Sequence, residues 1–194
     1  MKKTMKLLGI IALVAIIGFG VTGCSKKESG GGSARVGKAA PATDFSYELT
    51  SDGQGIKIKK YKGNGGIVNI PEKIEGYPVT VLATTAFTGN AAPGSLITSV
   101  IIPASVKKIE SFCFQNANNL TSVTFLGRGV ELAIGVFPPN LSELNMPDGD
   151  KVLFPLLLGD GEEGYGDGLY AFLGCQKLPL AVRSKLQSWG FTQF

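Results

Sequence analysis

The segment Ile97–Pro103 (ITSVIIP) recurs 23 residues later in the chain as Leu120–Leu126 (LTSVTFL). Other apolar residues repeat at the same interval: Ile109 with Leu132, and Phe114 with Phe137. A period in the twenties, with apolar residues at a constant phase, is the signature of a repeat solenoid. One such unit cannot bury its apolar face alone, so it is stable only when it stacks on its neighbours. The sequence therefore predicts stacked coils around a shared apolar interior.

A unit before this pair and a unit after it carry the same pattern. The earlier unit spans 67–87, and the later one begins at Leu141. In the later unit the distance from the strand-ending proline to the ring, Pro147 to Phe172, is 25 residues, whereas it is 11 in the second unit. We therefore expect repeats over about 67–147, then an insertion within 148–168 and a last half-repeat after it.

The constant phase of the apolar residues predicts which side chains form the interior. We expect the phenylalanines of successive units to stack on one another, on the wall opposite the strands. The predicted core residues are Ile102, Ile109, Phe114, Leu120, Phe125, Phe137 and Phe172. Because side chains alternate across a strand, the polar strand positions are expected to be exposed. They form a candidate binding face: Thr98, Thr121, Thr124, Ser142 and Asn145.

The N-terminal end of the solenoid is expected to be capped, because an uncovered end behaves like an open sheet edge. Three short segments with strand patterns follow one another at Phe45–Leu49, Ile56–Tyr61 and Ile67–Ile70. Turn residues separate them, including Asp52-Gly53. The sequence therefore predicts a β-meander cap over 44–66 that leads into the first repeat.

The C-terminal end, within 169–194, has the pattern of a short helix. Pro179 stands where a helix can begin, Val182, Leu186 and Trp189 are spaced for one face, and Gly190 follows as a stop. We expect this helix to lay Trp189 over the last phenylalanine and so to close the array.

Residues 1–23 have the composition of a secretory signal peptide. Lysines precede an apolar or glycine run from Leu7 to Val21, whose 15 residues are fewer than the ~20 of a membrane-spanning helix. The ending VTGC at 21–24 resembles a bacterial lipobox, which implies a mature N-terminus at lipidated Cys24. A plain signal peptide and an N-terminal membrane anchor are the alternatives.

Residues 24–43 are predicted to be a lipid anchor followed by a flexible tether, because Gly, Ser, Ala and Lys dominate and cannot build a core. The globular domain, 44–194, would then be held off a membrane. By analogy with lipoprotein sorting in diderm bacteria, Ser25 after the cysteine indicates export to the outer membrane or cell surface.

Composition excludes several classes of function. The formal charge of +4 falls to +1 when the three lysines of the leader are removed, so no basic stripe suggests nucleic acid. The chain has no histidine, which excludes His-based acid–base catalysis, Ser-His-Asp nucleophiles and His-ligated zinc. Cys113 and Cys175 are interpreted as buried free thiols, with a disulfide as the alternative. We expect no cofactor other than the lipid, no metal and no enzymatic activity.

The insertion 148–168 holds the acidic cluster Asp148, Asp150, Asp160, Glu162, Glu163 and Asp167. Calcium prefers such oxygen ligands, but the sequence does not continue as an EF-hand, so a solvated loop is the preferred interpretation. Its apolar run Val152–Leu158 is expected to pack on the flank of the solenoid, with an exposed interaction patch as the alternative.

The agreement of strand, Ile-Pro, Ala-Phe and spacing resembles the BspA-like, or treponemal-type, leucine-rich repeat, over about 44–147 with a weaker return at 169–178. Tyr47–Leu82 also looks like the meander that often precedes such repeats. The third unit departs from the pattern, because Phe125-Leu126 replaces Ile-Pro. The resemblance implies a leucine-rich-repeat solenoid, a β-rich α/β fold with an N-terminal meander cap and a short C-terminal helical cap.

Three functional hypotheses follow from this sequence. The first is a lipid-anchored envelope protein, adhesin-like and non-catalytic, whose repeat face binds an unknown protein or a host matrix macromolecule. The second is a structural envelope subunit with only bacterial partners. The third is a hydrolase or metal-binding protein that uses the acidic loop at 148–167.

Overall fold

The computed structural model describes residues 37–88, 96–147 and 170–194. Their elements, in chain order after a short 3-10 turn at Ala42–Asp44, are β1 (Phe45–Leu49), β2 (Ile56–Tyr61), β3 (Gly66–Asn69), β4 (Lys73–Ile74), β5 (Tyr77–Leu82), β6 (Ile97–Ile102), β7 (Lys108–Ile109), β8 (Ser122–Phe125), β9 (Glu131–Leu132), β10 (Glu143–Asn145) and α1 (Leu180–Ser188). The strands stack as successive coils, so the predicted repeat solenoid is confirmed.

One wall of the solenoid, the face sheet, is parallel and has the strand order β10-β8-β6-β3. Its neighbouring strands are one repeat apart in the chain, which places Val100 beside Val123 and Ile102 beside Phe125. These side chains are buried. The 23-residue period therefore appears in space as a strand-to-strand step of about 4.8 Å.

A second wall, the flank sheet, has the order β1-β2-β5-β7-β9, and β4 forms a hairpin with β5. Its parallel strands place Ile58, Leu82, Ile109 and Leu132 in one row. All four side chains are fully buried. The short strands β7 and β9 are enough to align one such residue per coil.

The third wall consists of turns, and it carries the stacked rings that the sequence predicts. The ring centroids are 4.7 Å apart for Phe87 and Phe114, 6.0 Å for Phe114 and Phe137, and 5.1 Å for Phe137 and Phe172. Backbone hydrogen bonds join the same turns, since the Phe114 N–H donates to the Val136 carbonyl at 2.8 Å. All seven residues predicted for the core are buried in this interior.

The N-terminal cap differs in one respect from the expected meander. β1 and β2 form an antiparallel hairpin, but β3 pairs with β6 and belongs to the face sheet. β2 instead continues the flank sheet, and its Tyr61 ring stacks on Phe87 at 5.8 Å. The hairpin thus supplies the missing half of a coil, and β3 already begins the repeats.

The last residues of the predicted tether lie on the solenoid. The Ala40 N–H donates to the Asn69 carbonyl at 2.8 Å, and Asn69 Nδ2 donates to the Gly37 carbonyl. Ala40 and Ala42 pack against the core. Residues 37–43 therefore contact the folded domain in the structure.

The C-terminal cap is the expected helix with a different closing ring. Gly190 has φ 100°, and the Phe191 N–H bonds back to the Leu186 carbonyl at 3.1 Å, as in a Schellman motif. This reversal carries Phe191 onto Phe172, edge-on at 5.3 Å. Trp189 is only partly buried at the margin of the core. The ring that closes the array is therefore Phe191, not Trp189 as the sequence suggests.

Several predictions fall on residues outside the described ranges. They are the signal peptide, the lipidation site Cys24, the tether up to 36, and the insertion with its acidic cluster and Val152–Leu158. These remain predictions.

Candidate binding face

The outward side of the face sheet, called the strand face below, presents three rows of side chains. The first row is Thr98, Thr121 and Ser142; the second is Ile67, Ser99, Ser122 and Glu143; the third is Asn69, Ile101, Thr124 and Asn145. The parallel register sets one residue of each row in each coil. The repeat therefore multiplies small polar side chains along a flat surface.

Hydroxyl groups of the first row are held by the neighbouring coil. Thr121 Oγ1 donates to the Thr98 carbonyl at 3.4 Å, and Ser142 Oγ donates to the Thr121 carbonyl at 3.3 Å. The backbone N–H of Thr121 and that of Ser142 donate to the same carbonyls at 3.1 Å and 3.0 Å. Each hydroxyl has used its single donor, so it offers acceptor lone pairs to a partner.

Four of the five residues predicted for the face are exposed: Thr98, Thr121, Ser142 and Asn145. Thr124 is not, because only 9% of its surface is accessible. It lies between Ile101 and Asn145 in register, and its hydroxyl accepts a hydrogen bond from Asn145 Nδ2 at 3.3 Å. Thr124 therefore supports Asn145 and is removed from the set of contact residues.

The middle row was not singled out by the sequence patterns. Ile67 is 73% exposed although it lies on a strand, and Ser99 and Ser122 are half-buried beside it. Glu143 ends the row and accepts a hydrogen bond from Asn145 Nδ2 at 2.9 Å. The alignment of the repeats could have predicted this row, because Ser99 and Ser122 occupy the same position in the two copies of the motif.

The strand face is nearly uncharged, because Glu143 is the one ionisable residue among its three rows. The flank sheet, by contrast, carries two ion pairs: Lys57 Nζ lies 2.6 Å from Glu110 Oε1, and Lys59 Nζ lies 3.0 Å from Glu48 Oε1. Partial burial alone would raise the pKa of Glu110, but hydrogen bonds from Lys57 and the Thr84 N–H outweigh it and lower that pKa. The flank sheet therefore carries structural ion pairs.

Both described cysteines are buried free thiols, in agreement with their interpretation from the sequence. Burial raises the pKa of Cys113 and raises the pKa of Cys175 to about 12. The Cys175 thiol also donates to the Pro138 carbonyl at 3.4 Å. Both thiols are protonated at neutral pH, so neither is an activated nucleophile.

Within the described ranges, no group of three cysteine or carboxylate side chains is close enough to hold a metal ion. No helix in the same ranges has the length and hydropathy to cross a membrane. The strand face offers hydrogen-bond acceptors and the apolar side chain of Ile67.

The chain is similar to several solved leucine-rich repeat proteins. One from T. pallidum is 23% identical, with a TM-score of 0.35, and the match covers 81% of this chain and all of the other. A leucine-rich cell surface protein from Faecalibacterium prausnitzii is 21% identical, with a TM-score of 0.40, and a leucine-rich repeat protein from Bacteroides ovatus is 20% identical, with a TM-score of 0.41.

These last two matches cover 62% and 53% of this chain, and they span 45% and 30% of the two solved proteins. No protein-family model and no curated protein matches the chain. The fold assignment rests on the stacked strands and the ring ladder of the chain itself. By that architecture, the chain is a leucine-rich-repeat-type solenoid.

Proposed function

We propose that this chain is a non-catalytic, extracytoplasmic interaction scaffold, adhesin-like and lipid-anchored at Cys24, whose strand face binds a protein partner. The observation that supports it best is the strand face itself. The regular coils fix the positions of its three rows, and backbone carbonyls of the neighbouring coil orient the Thr121 and Ser142 hydroxyls. The face also exposes the apolar side chain of Ile67. A surface that is preformed in this way loses little conformational freedom on binding.

The dimensions of the strand face set the expected strength of a single contact. Four strands about 4.8 Å apart, each with about four residues that advance about 3.3 Å, present roughly 250 Å². A stable protein–protein interface buries about 800 Å² on each partner. We therefore expect a weak single contact, or a partner that also touches the edges of the sheet. Many copies anchored on one surface would compensate through multivalent binding.

A non-catalytic role agrees with the chemistry of the described residues. The two thiols are buried and protonated, and the Glu110 carboxylate is occupied by Lys57 and Thr84. The sequence has no histidine that could act as a general base beside a nucleophile. A hydrolase or calcium-binding role for the acidic loop would appear as a change in binding or activity between calcium-containing and chelated samples.

The anchor and the location are tested on whole cells that express the full chain. Protease treatment of intact cells should release peptides of the folded domain, and mass spectrometry of the membrane fraction should find acylated Cys24. A protein that survives protease until the envelope is opened would support the structural subunit with only bacterial partners. An unmodified Cys24 would refute the anchor.

Binding through the strand face is tested with two matched arginine substitutions. Ser122→Arg places a large cation at the centre of the face, whereas Gln187→Arg places one at an exposed position of α1. We expect Ser122→Arg to reduce attachment of the expressing cells to immobilised matrix proteins or to partner bacteria at least tenfold. Gln187→Arg should leave it unchanged. Equal attachment by both variants and the wild type would refute the proposal.

A further inference from the structure

A concave surface lies on the turn wall. Its cavity volume is about 310 Å³, at the lower end of the range of about 300–1,000 Å³ for small-ligand pockets. Its lining includes three apolar side chains and three primary amides: Phe112, Ile134, Leu173, Gln115, Asn116 and Asn118. We call this surface the turn groove.

The aromatic ring of the turn groove is held in an unusual way. Thr85, Phe112 and Gly135 occupy equivalent places, each two residues before a ladder phenylalanine, and their φ angles are 56°, 58° and 57°. The turn thus requires a left-handed backbone at this place, which glycine adopts freely and a bulky residue rarely adopts. Phenylalanine at 112 is therefore not explained by the needs of the turn.

The next coil provides the space for the Phe112 ring. A Cβ atom on Gly135 would lie 2.6 Å from Phe112 Cδ1, so the ring rests directly on the Gly135 backbone. The Phe112 N–H donates to the Ile134 carbonyl at 3.0 Å, which fixes the two turns relative to each other. The ring stays partly exposed at the groove, with half-exposed Leu173 as another apolar lining residue.

The amides of the groove are available to a ligand. The side chains of Gln115, Asn116 and Asn118 are exposed, and each primary amide offers two donors and one carbonyl acceptor. The backbone at Asn118 is held in place, because Asn140 Nδ2 donates to its carbonyl at 2.9 Å. Lys177 Nζ in turn donates to Asn140 Oδ1 at 2.6 Å.

The chemistry of this lining selects among ligand classes. Among the described residues, no charged side chain lines the groove, so phosphate, sulfate and carboxylate ligands would be desolvated there without a counter-charge. A purely apolar ligand would cover the amides and leave them without hydrogen bonds. A pyranose ring has apolar C–H faces for an aromatic ring and neutral hydroxyls for amides. The volume fits roughly one or two such rings.

We propose that the turn groove binds a neutral oligosaccharide, with one sugar ring against Phe112 and its hydroxyls bonded to Gln115, Asn116 and Asn118. This site is separate from the strand face and is independent of whether that face binds a protein. A chain with both sites would hold a protein partner on one wall and a glycan on another.

The test uses the purified full chain and isothermal titration with neutral hexasaccharides of glucose, mannose, galactose and N-acetylglucosamine, with heparin as the anionic comparison. Saturable binding of at least one neutral hexasaccharide, without heparin binding at the same site, is expected. Phe112→Gly removes the ring and suits the left-handed backbone, and Gln115→Ala/Asn116→Ala removes two exposed amides. Each variant should weaken binding at least tenfold.

Gln187→Ala is the matched control, because it removes an exposed amide from α1, and it should leave the affinity unchanged. Circular dichroism melting curves verify that the variants fold. If Phe112→Gly does not fold, the amide double variant alone decides the test. No binding by any neutral hexasaccharide, or equal affinity of the amide variant and the wild type, would overturn the proposal. Competition for the groove by a peptide alone would overturn it as well.

Discussion

The ring ladder on the turn wall provides the most stringent test of how the coils hold together. Phe114 is fully buried and lies between Phe87 at 4.7 Å and Phe137 at 6.0 Å. Burial of a phenylalanine side chain contributes about 1.5–3 kcal/mol, and each aromatic pair adds about 0.5–1.5 kcal/mol. Phe114→Ala should therefore lower the free energy of unfolding by about 3–5 kcal/mol.

The loss is large against the total stability of a domain of this size, about 5–15 kcal/mol. It should appear as a fall of roughly 6–20 °C in Tm, because 1 kcal/mol corresponds to about 2–4 °C at this chain length. Urea denaturation followed by circular dichroism measures it, with Leu173→Ala as the control, because Leu173 is 50% exposed on the same wall. Losses of equal size for both variants, or less than about 1 kcal/mol for Phe114→Ala, would refute the ladder as a main source of stability.

Three further predictions concern other parts of the solenoid. Gly135→Ala should lower the free energy of unfolding by about 1–3 kcal/mol, because the residue has φ 57° and its Cβ would meet Phe112. Gly129→Ala, at φ 69° with open space around it, should cost less, and matched urea titrations of the two variants measure the difference. Glu110→Gln should shift the urea midpoint down at pH 7. Because the folded-state pKa of Glu110 is lowered, its carboxylate contributes its full stabilisation above the unfolded value of 4.5 and loses it as the pH falls further, through the folded-state pKa. The difference from the wild type should therefore shrink below pH 4.5, and a difference independent of pH would contradict this. Cys113 and Cys175 should resist iodoacetamide at pH 8 in the folded chain, because burial keeps both thiols protonated, and they should react once urea unfolds it. Peptide mass spectrometry would detect any labelling of the folded state.

Most of the architecture could be predicted from the repeat period. Residues one period apart, such as Val100 and Val123, occur as neighbours in register because a solenoid converts sequence distance into strand spacing. The positions of Phe114 and Phe137 predicted the ladder for the same reason. Local capping chemistry was equally informative, since Pro179 and Gly190 bound the helix where the sequence places them.

Strand pairing and burial also depend on which elements become neighbours in space, and local sequence patterns do not specify this. The alternation at β1 and β2 predicts two strands but does not show that β2 joins the flank sheet beside β5. Thr124 has an outward phase, but its burial results from Ile101 and Asn145 on the neighbouring strands. Strand alternation specifies the side of a sheet and not how closely neighbours cover a residue.

The two chain ends show the same limit. Residues 37–43 have a tether-like composition, yet backbone groups of Gly37 and Ala40 find partners at Asn69, which no side-chain pattern reveals. At the other end, Trp189 has the helical phase for the core, but the reversal at Gly190 brings Phe191 onto Phe172. A glycine stop followed by an apolar residue was the signal for this, because the Schellman motif buries the second residue after the helix.

Stacking of the coils in register underlies both proposed sites, and a designed disulfide tests it most directly. Ser99 and Ser122 are register partners on adjacent strands, whereas Ser99 and Glu143 are separated by one strand. Neighbouring strands are about 4.8 Å apart, within reach of a disulfide, and next-nearest strands are about 9.6 Å apart, beyond its limit of about 7 Å. Under mild oxidation, the double variant Ser99→Cys/Ser122→Cys should form an intramolecular disulfide, and Ser99→Cys/Glu143→Cys should not. The opposite result, or no difference between the two variants, would contradict the stacked register.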